Sequence, residues 1–280
     1  MSWLRERALW LATAEASTRP AALMRIGLVL LLWVRYAKSF ILFTKLDPAY
    51  IGIGASFWLS TTLLFFGVFS RLSATWAGVT TMAGIYFFLG YERGMEPFTH
   101  HHTYLLCISP LLLALTPCGG SYSFDRWWAL RSADAAGEPP PPERGPLWGQ
   151  YLIAFQIAMI YLWGAVDKTN AAYLSGERFE HYLMALYFGS DYPKWSGFAP
   201  MCTFLAVSSV VLEYALVPGL FLRRLQPLLI PIAMIFHAII YYTMPVGTFT
   251  LNMWLFYIAF IHPDVVHDFI DRMSGHSVSS

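Results

Sequence analysis

Long apolar runs separated by short polar stretches dominate this chain. They recur at approximately 21–43, 53–70, 73–91, 102–118, 148–167, 200–222, 225–244 and 247–262. A helix needs about 20 apolar residues to cross a bilayer, within a range of ~17–25. The pattern therefore predicts about eight transmembrane helices, the fourth of them short. Backbone polar groups have no partner in hydrocarbon, so helix is the conformation such runs must adopt. The expected fold class is all-α, a polytopic integral membrane helical bundle in a single domain over residues 1–280.

The segments outside these runs are patterned too. Trp3, Arg7 and Trp10 recur at helical spacing, which predicts an amphipathic helix on the membrane surface. Arg5, Glu6, Arg7 and Glu15 interrupt any secretory h-region. Near the other end, Val265, Val266, Phe269, Ile270 and Met273 share one side of a second such helix, started by Pro263. The loop 119–147 carries a proline run that reads as a stiff extended linker. The loop 168–199 is aromatic, and a short helix is expected there from about Gly176 to Phe188.

Composition sharpens the class. The chain is 57% hydrophobic and only 12% charged, with a net charge of +1. Soluble domains carry about 25% charged residues. The near-zero balance offers nothing to nucleic acid. With the N-terminus inside, ten of the 18 basic residues fall on the inner side and six on the outer side. The positive-inside rule then favours both termini in the cytoplasm. That topology puts Lys168 and the histidines 100–102 on the same outer side. Cys107, Cys118 and Cys202 have no metal-type or redox spacing.

Ionisable groups within the spans are functional suspects. Lys168 ends an uncharged helix, where an ammonium either snorkels to the interface or is held partly desolvated as a usable base. Asp167 beside it is a candidate counter-charge. Arg25 and Arg35 lie in the first span, Glu213 in the sixth and His237 in the seventh, with Tyr241 one turn beyond His237. Consecutive histidines step about 100° around a helix, so His100, His101 and His102 cannot all face one site, and no metal site is expected. Tyr161 and Lys168 share a face of the fifth span, Gln156 is rotated from it, and Gly164-Ala165 leaves room for a close neighbour or a flat ligand.

Four segments resemble the membrane domain of the vitamin K-dependent gamma-glutamyl carboxylases, also called the horizontally transferred transmembrane (HTTM) domain. They are HHHTYL (His100–Leu105), Gln156 through Gly176, Glu213, and FHAIIYYTMPVGTFTLNMW (Phe236–Trp254). The resemblance runs from the first span to about residue 263. It implies a pocket in which a lysine, here Lys168, deprotonates reduced vitamin K or a related quinol. The quinol then reacts with O2, giving an epoxide and a strong base that removes a proton from the gamma carbon of glutamate, to which CO2 adds. His102 would assist the oxygenation and His237 matches the histidine of the late span. His101, Tyr104, Gln156, Tyr161, Gly164 and Tyr241 would line the quinol, with Asp167, Glu213 and Arg25 in support.

This chain departs from the carboxylases in His101, where they have asparagine, in Asp167, where they often have lysine, and in lacking their large extramembrane domain. Peptide carboxylation is therefore not the expected outcome, even where quinol chemistry is retained. Two other readings stay open. One is a partner in maturation of a secreted toxin peptide, as in small bacterial HTTM-only proteins. The other is a non-enzymatic quinone- or lipid-binding membrane subunit. Membrane lipid is a partner in every case, and the bacterial inner membrane is the expected location.

Overall fold

The computed structural model describes residues 6, 10, 13–41, 47–95, 101–243 and 247–275, with backbone alone at 41, 101, 102 and 243. The chain divides into two compact units, 1–154 with 251–280, and 155–250. The N-terminal surface helix expected around Trp3 and Arg7 lies mostly outside the described residues.

The first unit begins with β1 (Glu15–Ser17), followed by α1 (Arg19–Ile41), α2 (Pro48–Phe66), α3 (Ser70–Val79, continued in wider π-type turns over Thr80–Glu92) and α4 (His101–Ala114). It adds α5 (Phe124–Ala136) and β2 (Arg144–Pro146), which pairs antiparallel with β1 so that Ala16 faces Gly145. α6 (Trp148–Lys168) follows. Its core is aromatic. Phe40 and Phe57 pack tilted with ring centres 5.3 Å apart, Tyr36 meets Phe57 edge-on, and the Tyr36 hydroxyl lies 3.2 Å from Cys107 Sγ. α2 is started by Asp47, whose carboxylate accepts the Ala49 N–H, with Pro48 in the first turn. It stops at Gly67, which has φ +66°. A β-carbon there would lie 2.7 Å from an Arg25 nitrogen and 2.4 Å from Ser123 Cβ, so both conformation and space demand glycine. Arg25 itself is fully buried and donates to the carbonyls of Cys118 and Tyr122 at 2.5 Å each. It does not snorkel. It clasps the segment that leads into α5.

The second unit holds the rest of α6, then α7 (Ala171–Leu174), α8 (Glu177–Leu183, widened to π-type turns over Met184–Phe188), α9 (Phe198–Gly219) and α10 (Gln226–Thr243). α9 packs on α7, α8 and α10. The short helix expected between Gly176 and Phe188 is present as α8 and its extension. The Tyr187 hydroxyl ties it to the Tyr242 carbonyl at 2.6 Å.

The chain closes with α11 (Gly247–Phe256, ending in the tight turn Tyr257–Phe260) and α12 (Pro263–Met273). α12 is amphipathic. Val265, Phe269 and Met273 are exposed, and Asp264 and Asp271 face α1 and the β-ribbon. Burial works against the Asp264 charge, but the Ser17 N–H, the Arg144 guanidinium and His262 outweigh it and hold the carboxyl below the usual carboxylate range.

The expected count of about eight spans is not confirmed, and the loop around the proline run holds regular structure. Among the described residues five helices are long and apolar enough to cross a membrane, or six if Gly247–Phe260 and Pro263–Met273, bent by 102°, form one broken span. Among the described residues each of the eight apolar runs is mainly helical, but α4, α10 and α11 are short. At 1.5 Å per residue, the 14 residues of α4 rise only about 21 Å, against a hydrocarbon core of about 30 Å. The loop 119–147 is also not a plain linker, because it contains α5 and β2. The three cysteines are buried and free.

Candidate functional site

One face of α6 carries a row of positions that meet polar groups of the second unit. Tyr161, Gly164 and Lys168 follow one another at helical spacing. The helix ends just beyond them, where Asn170 turns extended at φ −142° and ψ 159°, while the Thr169 hydroxyl donates back to the Ala165 carbonyl at 2.7 Å. Asn170 then donates its amide to the Asp167 carbonyl and caps α7 by accepting the Tyr173 N–H. A cation in the last turn also suits the negative end of the helix dipole.

Lys168 leans back along its own helix over Gly164, the direction helical side chains favour. A β-carbon on Gly164 would sit 3.4 Å from its Nζ. There Lys168 meets Glu213 of α9, with Nζ 2.6 and 2.9 Å from the two carboxylate oxygens. The Glu213 side chain is only 6% exposed and that of Lys168 27%. Glu213, well inside an apolar helix, thus satisfies both oxygens on one cation, as a buried carboxylate must. Asp167 is exposed and is not that cation's partner. Neighbours in a helix point about 100° apart, so Asp167 cannot follow Lys168 to the buried side.

Two further pairs flank this one. Ser209, one turn before Glu213 on α9, shares a 3.1 Å hydrogen bond with the Tyr173 hydroxyl. Burial raises the Tyr173 phenol above the ordinary tyrosine value, with the Ser209 bond opposing and the Glu213 charge adding. On the other side, the Tyr161 hydroxyl and His237 Nε2 share a 2.8 Å hydrogen bond. His237 is buried, stands edge-on to Phe236 and Phe249, and accepts Thr250 Oγ1 at its carbonyl. Gly176, with φ +86°, starts α8 so close to α9 that a β-carbon would lie 2.3 Å from the Thr203 nitrogen.

A family profile for the HTTM domain matches residues 29–265. The chain belongs to the HTTM domain family. That family is membrane-associated, in keeping with the apolar helices. The HTTM match contains every residue of this polar cluster and leaves Arg25 outside it. No match to the chain was found among curated proteins or among solved structures.

The other expected residues of this HTTM chain are placed as follows. Gln156 is half-buried on α6. Tyr241 is largely exposed and packs edge-on to Tyr242. Tyr104 belongs to the first unit, is exposed and packs on Tyr86. His101 and His102 begin α4, and their side chains lie outside the described residues, as does His100. Among the described residues no group of three metal-ligating side chains comes together. A shallow open cleft on α7 and α8, lined by Glu177, Arg178, Glu180, His181 and Tyr192, contains none of the polar pairs. Burial and paired charge make the cluster on α6 the better candidate site.

Proposed function

We propose that the cluster on α6, α9 and α10 is a proton-transfer site for a membrane-soluble quinol, with Lys168 as the proton acceptor. The observation that carries this reading is the buried Lys168–Glu213 pair lying over Gly164. Reduced vitamin K or a related naphthoquinol suits the residues present. With no side chain at Gly164, the Lys168–Glu213 pair lies close against the α6 backbone, and a quinol phenol would approach the amine from the side that Glu213 does not take.

When bound, the quinol supplies the reducing electrons for O2-linked oxygenation, with CO2 a further reactant if carboxylation is retained. The chain's own work is proton handling. While ion-paired, the Lys168 ammonium has no lone pair to offer. Its proton must first move to Glu213, whose oxygens already lie at hydrogen-bond distance. The neutral amine then accepts a phenolic proton. The Tyr161–His237 hydrogen bond fixes a second polar point on the same face of α6. His102 is assigned to assisting oxygenation by the family resemblance alone.

The bidentate geometry also supports a non-catalytic reading, in which the pair locks α6 to α9 in a quinone- or lipid-binding subunit. Oxidation and epoxidation of reduced naphthoquinone by purified protein in lipid nanodiscs separates the two. General-base roles contribute about 10²–10⁴-fold, so Lys168→Ala should lower O2-dependent turnover by at least about 100-fold. An inactive parent protein, or a Lys168→Ala variant with parental turnover, leaves the non-catalytic reading standing.

A further inference from the structure

α5 is a short helix with an unusual outer face. Ser123 caps it by accepting the Arg126 N–H, and Gly137 closes it in the left-handed conformation. Phe124, Trp127, Trp128 and Arg131 fall at i, i+3, i+4 and i+7, which is one face. The three rings lie within 5.2–6.3 Å of each other, and the Arg131 guanidinium sits over Trp127. Trp127 is 47% and Trp128 61% exposed. Ala133 is the one buried residue of the helix.

The start of this helix is fixed to the turn between α2 and α3, two candidate membrane spans. The Asp125 carboxylate accepts the N–H groups of Phe69 and Ser70 and the Ser70 hydroxyl, at 2.7–2.8 Å. The Asp125 N–H in turn donates to the Gly67 carbonyl at 3.0 Å. α2 and the helix running from α3 through Glu92 are each long and apolar enough to cross the bilayer, and as neighbouring spans they put the turn joining them at its surface. Trp128 is four residues from Phe124, a rise of about 6 Å along the axis. A headgroup region is about 5–7 Å deep on each side, the difference between total and hydrocarbon thickness shared over two leaflets. The aromatic face is therefore held within reach of that region. Phe66 and Phe69, both exposed at the same turn, continue it.

We propose that α5 is an interfacial anchor whose Phe124–Trp127–Trp128 face lies in the phospholipid headgroup zone. The side-chain chemistry fits that occupant. Tryptophan has an apolar body and one N–H donor, and is enriched at bilayer interfaces. Arg131 and Arg126 supply cations toward phosphate, and Arg126 also donates to the Pro141 carbonyl, tying the proline run down beside the helix. This role is independent of any chemistry at Lys168.

The test uses the full chain in phosphatidylcholine nanodiscs, comparing it with a Trp127→Phe/Trp128→Phe variant. The difference emission spectrum isolates the two indoles. It should be quenched at least twofold by phosphatidylcholine brominated high on the acyl chain, and aqueous iodide should leave it largely unchanged. Quenching by iodide alone places the face in water and overturns the proposal. Protection from both quenchers means a second copy or another protein covers the face, and also overturns it. The single variants Trp127→Phe and Trp128→Phe give the same readout at half amplitude should the double variant fail to fold.

Discussion

Replacing Lys168 with methionine would leave Glu213 buried without its cation, and the cost can be bounded from the structure. At the observed separations of 2.6 and 2.9 Å, an effective dielectric of ~20 gives an attraction of about 6 kcal/mol before desolvation is subtracted. The variant does not lose all of this, because the orphaned carboxylate can take up a proton. Protonating an ordinary carboxyl of pKa about 4.3 at pH 7 costs ~3.7 kcal/mol. That figure is a ceiling on what the orphaned charge itself costs. At pH 5 the ceiling falls to about 1 kcal/mol. Lys168→Met should therefore destabilise by roughly 2–4 kcal/mol at pH 7 and much less at pH 5. Replacing both partners by apolar residues, Lys168→Met with Glu213→Leu, should recover most of the loss, since hydrophobic replacement of a whole buried pair is often neutral. Equilibrium unfolding in mixed micelles at the two pH values measures all four corners of the cycle. A single variant within 0.5 kcal/mol of the parent at pH 7, or a double variant no more stable than the single, refutes the claim that the pair is desolvated and coupled.

Three other outcomes follow from the geometry. Gly176→Ala should destabilise the second unit by more than ~1 kcal/mol, because it adds a strained positive φ to a clash with the Thr203 backbone, and hydrogen exchange of α8 should show it. Asp264 has a depressed carboxyl, so its hold on β1 is fully present above the ordinary aspartate value of about 3.9 and is lost as pH falls through its lower folded value. Proteolysis of α12 should accelerate only below that range, and Asp264→Asn should remove the pH dependence. Gly164→Ala should fold with parental or greater stability, since its methyl meets the Lys168–Glu213 pair at ordinary contact distances of 3.4–3.6 Å, while quinol turnover falls.

Much of the fold was legible in the sequence. Among the described residues each apolar run is mainly helical, because runs of that length leave the backbone no other way to satisfy itself in hydrocarbon. Their lengths were not legible, because hydropathy marks an apolar run but not where its helix begins and ends. α5 escaped because residues 124–136 mix aromatic and charged positions without a long apolar run. Its cues were Ser123 before the first turn, Gly137 after the last, and aromatics at i, i+3 and i+4. Lys168 stood out as a lone cation, but its partner did not, since Asp167 is adjacent in sequence and Glu213 is adjacent only in space. The four-residue spacing of Ser209 and Glu213 already put two polar groups on one face of α9. Their partners, Tyr173 and Lys168, emerge only with the packing of α7 and α6 against it. Tyr161 and His237 were each visible as polar groups in apolar helices, without a hint that they meet.

Stability alone gives a poor account of what surrounds Lys168. A buried ion pair holds α6 to α9 no better than a well-packed apolar pair would. Glycine inside a helix costs up to ~1 kcal/mol relative to alanine, and alanine fits at position 164 without a clash. Both choices give up stability, and both border the same few ångströms beside the Lys168 amine. Packing explains Gly176 and Gly67, where a side chain would strike backbone or a buried guanidinium, but it does not explain Gly164. A cation that can pass its proton to a neighbour, seated against a stretch of helix that carries no side chain of its own, suits a proton-transfer site for a flat ligand. If Gly164→Ala gains stability while turnover and quinol binding are unchanged, that inference fails, and Gly164 is no more than a small-residue contact between helices.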